Sequence, residues 1–150
     1  MVLNLKDDAQ LKQACDTILQ QTLTQKGNRD WVAGLLTLLQ EVRDVDEPTF
    51  FSERFQRNLW DSEQVTSTGM GQVDISKVAQ DTSVIEQLWR LKNRFPGLER
   101  AQQELLVTET WNALITAITP LVKRFPKLKM YRVFAVLCPG SVSYTHLTLP

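Results

Sequence analysis

The chain has 150 residues, 43% of them hydrophobic, and its seventeen basic and seventeen acidic side chains give a formal net charge of zero. That length suits one domain able to bury about two-thirds of the surface its unfolded form exposes. The balanced charge excludes a nucleic-acid coat or a membrane-surface protein built on bulk charge.

The opening MVLNLKDDAQ lacks a basic segment followed by an apolar one, so no signal peptide is expected. No apolar run approaches the roughly 20 residues that span a bilayer. The cytoplasm is the expected location, with no membrane partner. The two cysteines, Cys15 and Cys138, have no metal-ligand spacing and are expected as reduced core thiols.

From about Lys6 to Gln25 the pattern predicts an amphipathic helix with Leu11, Cys15, Ile18, Leu19 and Thr22 on one face. Lys26-Gly27-Asn28 supplies a stop, and Asp30 a candidate N-cap for the next helix. That helix carries Trp31, Leu35, Leu38, Leu39 and Val42 as a core stripe. Asp44, Asp46 and Glu47 form an acidic break, and the last two suit the start of a third helix, where Pro48 is tolerated. Phe50, Phe51, Phe55, Leu59 and Trp60 follow as the most aromatic stretch.

Residues 61–73 are polar and predict a long loop, with Gly69-Met70-Gly71 as a flexible turn or a mobile binding loop. Ser83 and Glu86 match a capping box before Val84, Ile85, Leu88 and Leu91. Phe95-Pro96-Gly97 ends that helix. Another starts near Leu98, with Leu105, Trp111, Leu114, Ile115, Ile118 and Val122 inward, and Pro120 kinks or ends it. Lys127 to Leu137 fits either a short helix or a strand. The expected fold is mostly α: an irregular multi-helix domain with one long polar loop and at most one or two short strands.

The last nine residues, Val142 to Pro150, carry no charge and hold the single histidine, His146. They resemble, without a mismatch, the translation of a transposon-end adapter used in sequencing libraries. This implies a helical amino-terminal domain over 1–141, truncated there, and a non-native tail over 142–150. Residues 1–141 contain no histidine, which excludes His-dependent chemistry from them.

No phosphate-loop, dinucleotide or nucleophile-elbow motif is present, and no catalytic residue, metal site or cofactor is expected within this chain. Charge distribution is the informative feature. Between Pro120 and Ser141 lie Lys123, Arg124, Lys127, Lys129 and Arg132 with no acidic residue; the first 119 positions hold twelve basic and seventeen acidic residues, a net of −5. Phe125 and Tyr131 interleave with the cations. This stretch is the candidate nucleic-acid contact, with a smaller cluster, Arg90, Lys92, Arg94 and Arg100, as an extension. A competing reading is a partner-binding or assembly module whose aromatic face is Phe50, Phe51, Phe55 and Trp60. A third is a fragment of an unrelated enzyme.

Two segments carry a family resemblance. Leu59-Trp60-Asp61 is followed by Gly69-Met70-Gly71-Gln72-Val73-Asp74-Ile75-Ser76, and Leu128-Lys129-Met130-Tyr131-Arg132-Val133-Phe134-Ala135-Val136-Leu137 precedes Pro139. Together they resemble the amino-terminal region of McrB-like AAA-family proteins of modification-dependent restriction systems. The resemblance implies a recognition module ahead of a nucleotide-hydrolysing motor that recruits a nuclease subunit to DNA. It carries no catalytic residue onto this chain.

Overall fold

Asp7 opens the first helix because its Oδ1 accepts the backbone N–H of Gln10 at 3.0 Å, satisfying a donor that helix geometry leaves unpaired. The computed structural model describes residues 7–66 and 73–139. The chain divides into two compact units, Met1–Leu36 and Thr37–Pro150. Among the described residues every regular element is helical and none is a strand, as the apolar spacing predicted.

In the first unit, α1 spans Asp8–Thr24 and α2 begins at Lys26, running on to Asp44 in the second. The break falls at Gln25, not at the expected Lys26-Gly27-Asn28. Gln25 alone is extended, with φ −87° and ψ 125°. Its N–H donates to Thr22 O, while its own carbonyl accepts from Arg29 N and its side-chain oxygen from Asn28 Nδ2. One residue thus closes α1 and opens α2. Gly27 then continues as helix, and Asp30 lies inside α2 rather than at its cap. The α1 stripe forms as predicted, but no α1 residue is buried, and Cys15 is exposed rather than core.

The second unit holds the core. The later half of α2 contributes Leu38 and Val42, both buried. Asp46 accepts the N–H of Thr49 at 3.0 Å and starts α3 (Glu47–Phe50), with Pro48 in its first turn. Ser52 caps α4 (Glu53–Asp61) by accepting from Phe55 N. The expected loop over 61–73 is corrected in its first part: Asp61 completes α4, and α5 (Glu63–Thr66) follows. The reason is Val65, an apolar side chain in this polar run that is fully buried. Gly69-Met70-Gly71 and the tail 142–150 lie outside the described residues.

A short 3-10 turn, Val78–Gln80, leads into α6 (Thr82–Arg94). Its cap is Asp81, which accepts Val84 N at 2.9 Å, and not Ser83. Val84, Ile85, Leu88 and Leu91 are all buried, as their spacing required. Phe95–Gly97 forms a 3-10 turn, and α7 (Arg100–Ile118) follows, packed along α6. The predicted inner face of α7 holds at Leu114 and Ile118 and fails at Leu105 and Ile115. Leu106, Val107, Thr110, Leu114 and Ile118 are buried, whereas Leu105 is 60% exposed and Ile115 is also exposed. Apolar residues surround this helix, so periodicity alone does not select the inner side. Pro120 ends it through the 3-10 turn Thr119–Leu121. Lys127–Leu137 is helix α8, which packs against α4, α5 and α6.

Candidate nucleic-acid interface

Pro120 and Pro126 set the helix boundaries around which the cations lie. The first halts α7; the second precedes α8 and provides no side-chain cap. Lys123 and Arg124 therefore sit on irregular chain between two helices, and both are exposed, as is Lys127 at the first position of α8. None of these three forms an ion pair with a carboxylate of the described residues. Cations at the start of a helix meet the positive end of its dipole, so their placement here is locally unfavourable and suits an incoming anion.

Lys127 Nζ lies 5.8 Å above the centre of the Tyr131 ring. Tyr131 in turn stacks on Trp111 of α7, with centroids 4.6 Å apart and planes at 12°. Phe134 closes the group edge-on to Trp111 at 5.3 Å. Trp111 and Tyr131 both remain half-buried. The cations thus border a flat aromatic pair whose partners are 20 residues apart. Sequence spacing assigned Trp111 to the core and gave no sign of this contact.

Lys129 does not belong to the outward-facing set. It is 5% exposed, and its Nζ lies 2.5 Å from Asp61 Oδ1 at the end of α4. A buried ammonium without a carboxylate is strongly disfavoured, so the pair determines its orientation. Arg132 is half-buried and donates from Nη1 to the carbonyl of Gln64 at 3.4 Å, tying α8 to α5. The expected five-residue patch therefore reduces to Lys123, Arg124 and Lys127.

Two members of the second basic cluster are engaged and two are not. Lys92 lies 4.9 Å over the Trp89 ring, and burial pushes its ammonium below the ordinary lysine value while Asp44 pulls it up. Arg100 pairs with Glu104 at 3.4 Å. Arg90 and Arg94 are exposed.

The aromatic partner face is corrected as well. Phe50 and Trp60 are fully buried. Phe50 packs against Phe55 at 5.3 Å and Trp89 at 5.0 Å, and Phe51 meets Trp89 at 6.2 Å. Phe51 and Phe55 are half-buried rims of an internal cluster. Large rings gain most by full burial, and for Phe50 the Trp89 ring of α6 supplies covering surface from within the same chain.

Among the described residues no group of three or more Cys, Asp or Glu side chains is placed to hold a metal ion. No described helix is long and apolar enough to cross a membrane. The chain matches no protein-family profile, no curated protein and no solved structure.

Proposed function

We propose that this chain is the amino-terminal recognition module of a cytoplasmic AAA-type restriction protein, and that it contacts the DNA backbone through Lys123, Arg124 and Lys127. One observation carries the DNA reading: these three exposed cations cluster at the start of α8 with no carboxylate ion partner among the described residues. The stacked Trp111–Tyr131 pair beside Lys127 supplies a firm wall behind them. The motor and its nuclease partner rest on the resemblance alone. Nucleotide hydrolysis belongs to that motor and involves no residue of this chain.

The test is titration of the chain with duplex DNA at several salt concentrations. Each phosphate contact contributes about 0.9 to the slope of log K against log salt. Replacing Lys123, Arg124 and Lys127 by alanine together is expected to lower that slope by about 2–3 and to weaken binding similarly for all sequences. An unchanged slope refutes this surface as the contact. The motor assignment has a separate test: the genomic reading frame beyond the Ser141 codon must encode a phosphate-binding loop after a predicted strand.

A further inference from the structure

Among the described residues two buried side-chain atoms have no hydrogen-bond partner, Gln56 Oε1 and Trp60 Nε1, both on α4. Each residue is 0% exposed, so bulk solvent does not reach these atoms. The large majority of buried side-chain polar atoms are paired, because an unpaired one keeps the whole cost of leaving water. Their chemistry and their positions make the two atoms one feature.

One atom is an acceptor and the other carries a donor. The residues stand one turn apart on the same side of α4, a spacing that sets Cβ atoms about 5–6 Å apart. Aromatic side chains on a helix lean toward its N-terminus, which brings the Trp60 ring back over the turn that carries Gln56. The Gln56 amide is not free to reverse: its Nε2 donates to Phe50 O at 2.8 Å, and the reversed amide would set two carbonyl oxygens together. Oε1 is thereby held as the acceptor on the other branch of the amide. The indole N–H does not reach it directly.

We propose that one internal water molecule bridges the pair, accepting from Trp60 Nε1–H and donating to Gln56 Oε1. Two hydrogen bonds of about 2.8–3.0 Å span atoms up to roughly 5–6 Å apart, the rise of one helical turn. Water is the ligand class that fits, because it donates and accepts at once and a fully buried place admits nothing large. Buried waters occur at on the order of one per 27 residues and hold two to four polar partners, so a chain of 150 residues is long enough for several. The bridge would join Phe50 O at the end of α3, the Gln56 amide and the Trp60 indole into one hydrogen-bonded chain. That chain fixes the corner between α3 and α4 from inside. The inference is independent of DNA contact, since it involves no residue of the cationic surface.

Nuclear magnetic resonance of the isotope-labelled full chain reads the water directly. Of the four tryptophan indole N–H signals, the one lost in Trp60→Phe belongs to Trp60. Its proton is expected to show a nuclear Overhauser contact to the water resonance, with the sign of a water that tumbles with the chain. A rotating-frame contact opposite in sign to the diagonal separates it from proton exchange. Because Trp60 is fully buried, surface hydration does not supply this contact. Gln56→Met keeps the side-chain length and removes the acceptor, so the contact should be lost there. A Trp60 indole proton without a water contact in the parent chain, or a contact that survives undiminished in folded Gln56→Met, overturns the proposal. The parent spectrum decides by itself where Gln56→Met does not fold.

Discussion

Removing Asp61 should hurt the fold more than removing the lysine it holds. Asp61→Ala leaves the Lys129 ammonium, 5% exposed, without its carboxylate. Stripping one partner from a fully buried pair costs about 3–5 kcal/mol. The Asp61 side chain, however, is 49% exposed, so water reaches one end of this pair and lowers the loss to about 2 kcal/mol. Lys129→Met keeps the apolar stem, removes the charge to be hydrated and leaves Asp61 free to face solvent, a change of about 0–1 kcal/mol in either direction. The double variant should resemble Lys129→Met, because no stranded ammonium remains. Urea unfolding gives the three free energies. In a thermal scan about 2 kcal/mol corresponds to a fall of roughly 6–10 °C for a domain of this size. Equal losses for Asp61→Ala and Lys129→Met would refute the argument that Asp61 is what permits Lys129 to be buried. The same variants bear on function: Lys129→Met should leave the salt slope of DNA binding unchanged, since its ammonium does not face outward.

Two further outcomes can be read from stability measurements. Asp81→Ala should cost about 1 kcal/mol and Ser83→Ala less than about 0.5 kcal/mol, because only Asp81 accepts a backbone N–H at the start of α6; comparable losses in urea would return the cap to Ser83. Four carboxylates are held below their ordinary values: Asp44 by the Arg43 guanidinium, Asp46 by Thr49, Glu53 by Gln80 and then Arg57, and Asp74 by Ser76. A depressed folded value means the unfolded chain binds more protons in that window, so stability is complete above the ordinary carboxylate range and falls as acid titrates the folded groups. The urea midpoint should hold from pH 7 to about 5 and decline below about 4, less steeply in Asp46→Asn; a midpoint independent of pH over that span contradicts those bonds.

Local chemistry was legible in the sequence wherever one residue type has one good use. Val84, Ile85, Leu88 and Leu91 repeat at helical spacing, and all four are buried. Pro48, Pro96 and Pro120 lie in first turns or in the short turns that stop helices. Choices between near-equivalent residues were not legible. Asp81 and Ser83 are both competent caps, and only the helix start decides between them. Leu105 and Leu106 are chemically identical, so α7 offers no local reason to bury one rather than the other. The aromatic run showed that Phe50 needed covering, but not that Trp89 of α6 in the same chain covers it. For the interface, sequence located the cations and could not sort them. Lys127 and Lys129 are two residues apart, and on a helix this turns them to different sides. The side of Lys129 was set by Asp61, 68 positions earlier.

That sorting bears on why the remaining cations matter. A helix start disfavours positive charge, and α8 opens on Lys127 without a side-chain cap. Asp61 offsets the one buried ammonium among the described cations, that of Lys129. The acids needed to treat Lys123, Arg124 and Lys127 alike exist, because the first 119 positions carry five more acidic than basic residues. Yet none of the described carboxylates forms an ion pair with these three. Exposed ion pairs contribute only about 0–1 kcal/mol, so stability alone gives little reason either to make or to avoid them. What a proposed external anion has to meet is this concentration of cations at one helix start, next to a stacked aromatic pair. A phosphate backbone meets that requirement with repeated charges and releases counterions as it binds. A lone small anion would engage the same side chains without a salt slope larger than its own charge. The slope, more than the affinity, is the measurement that separates these two ligands.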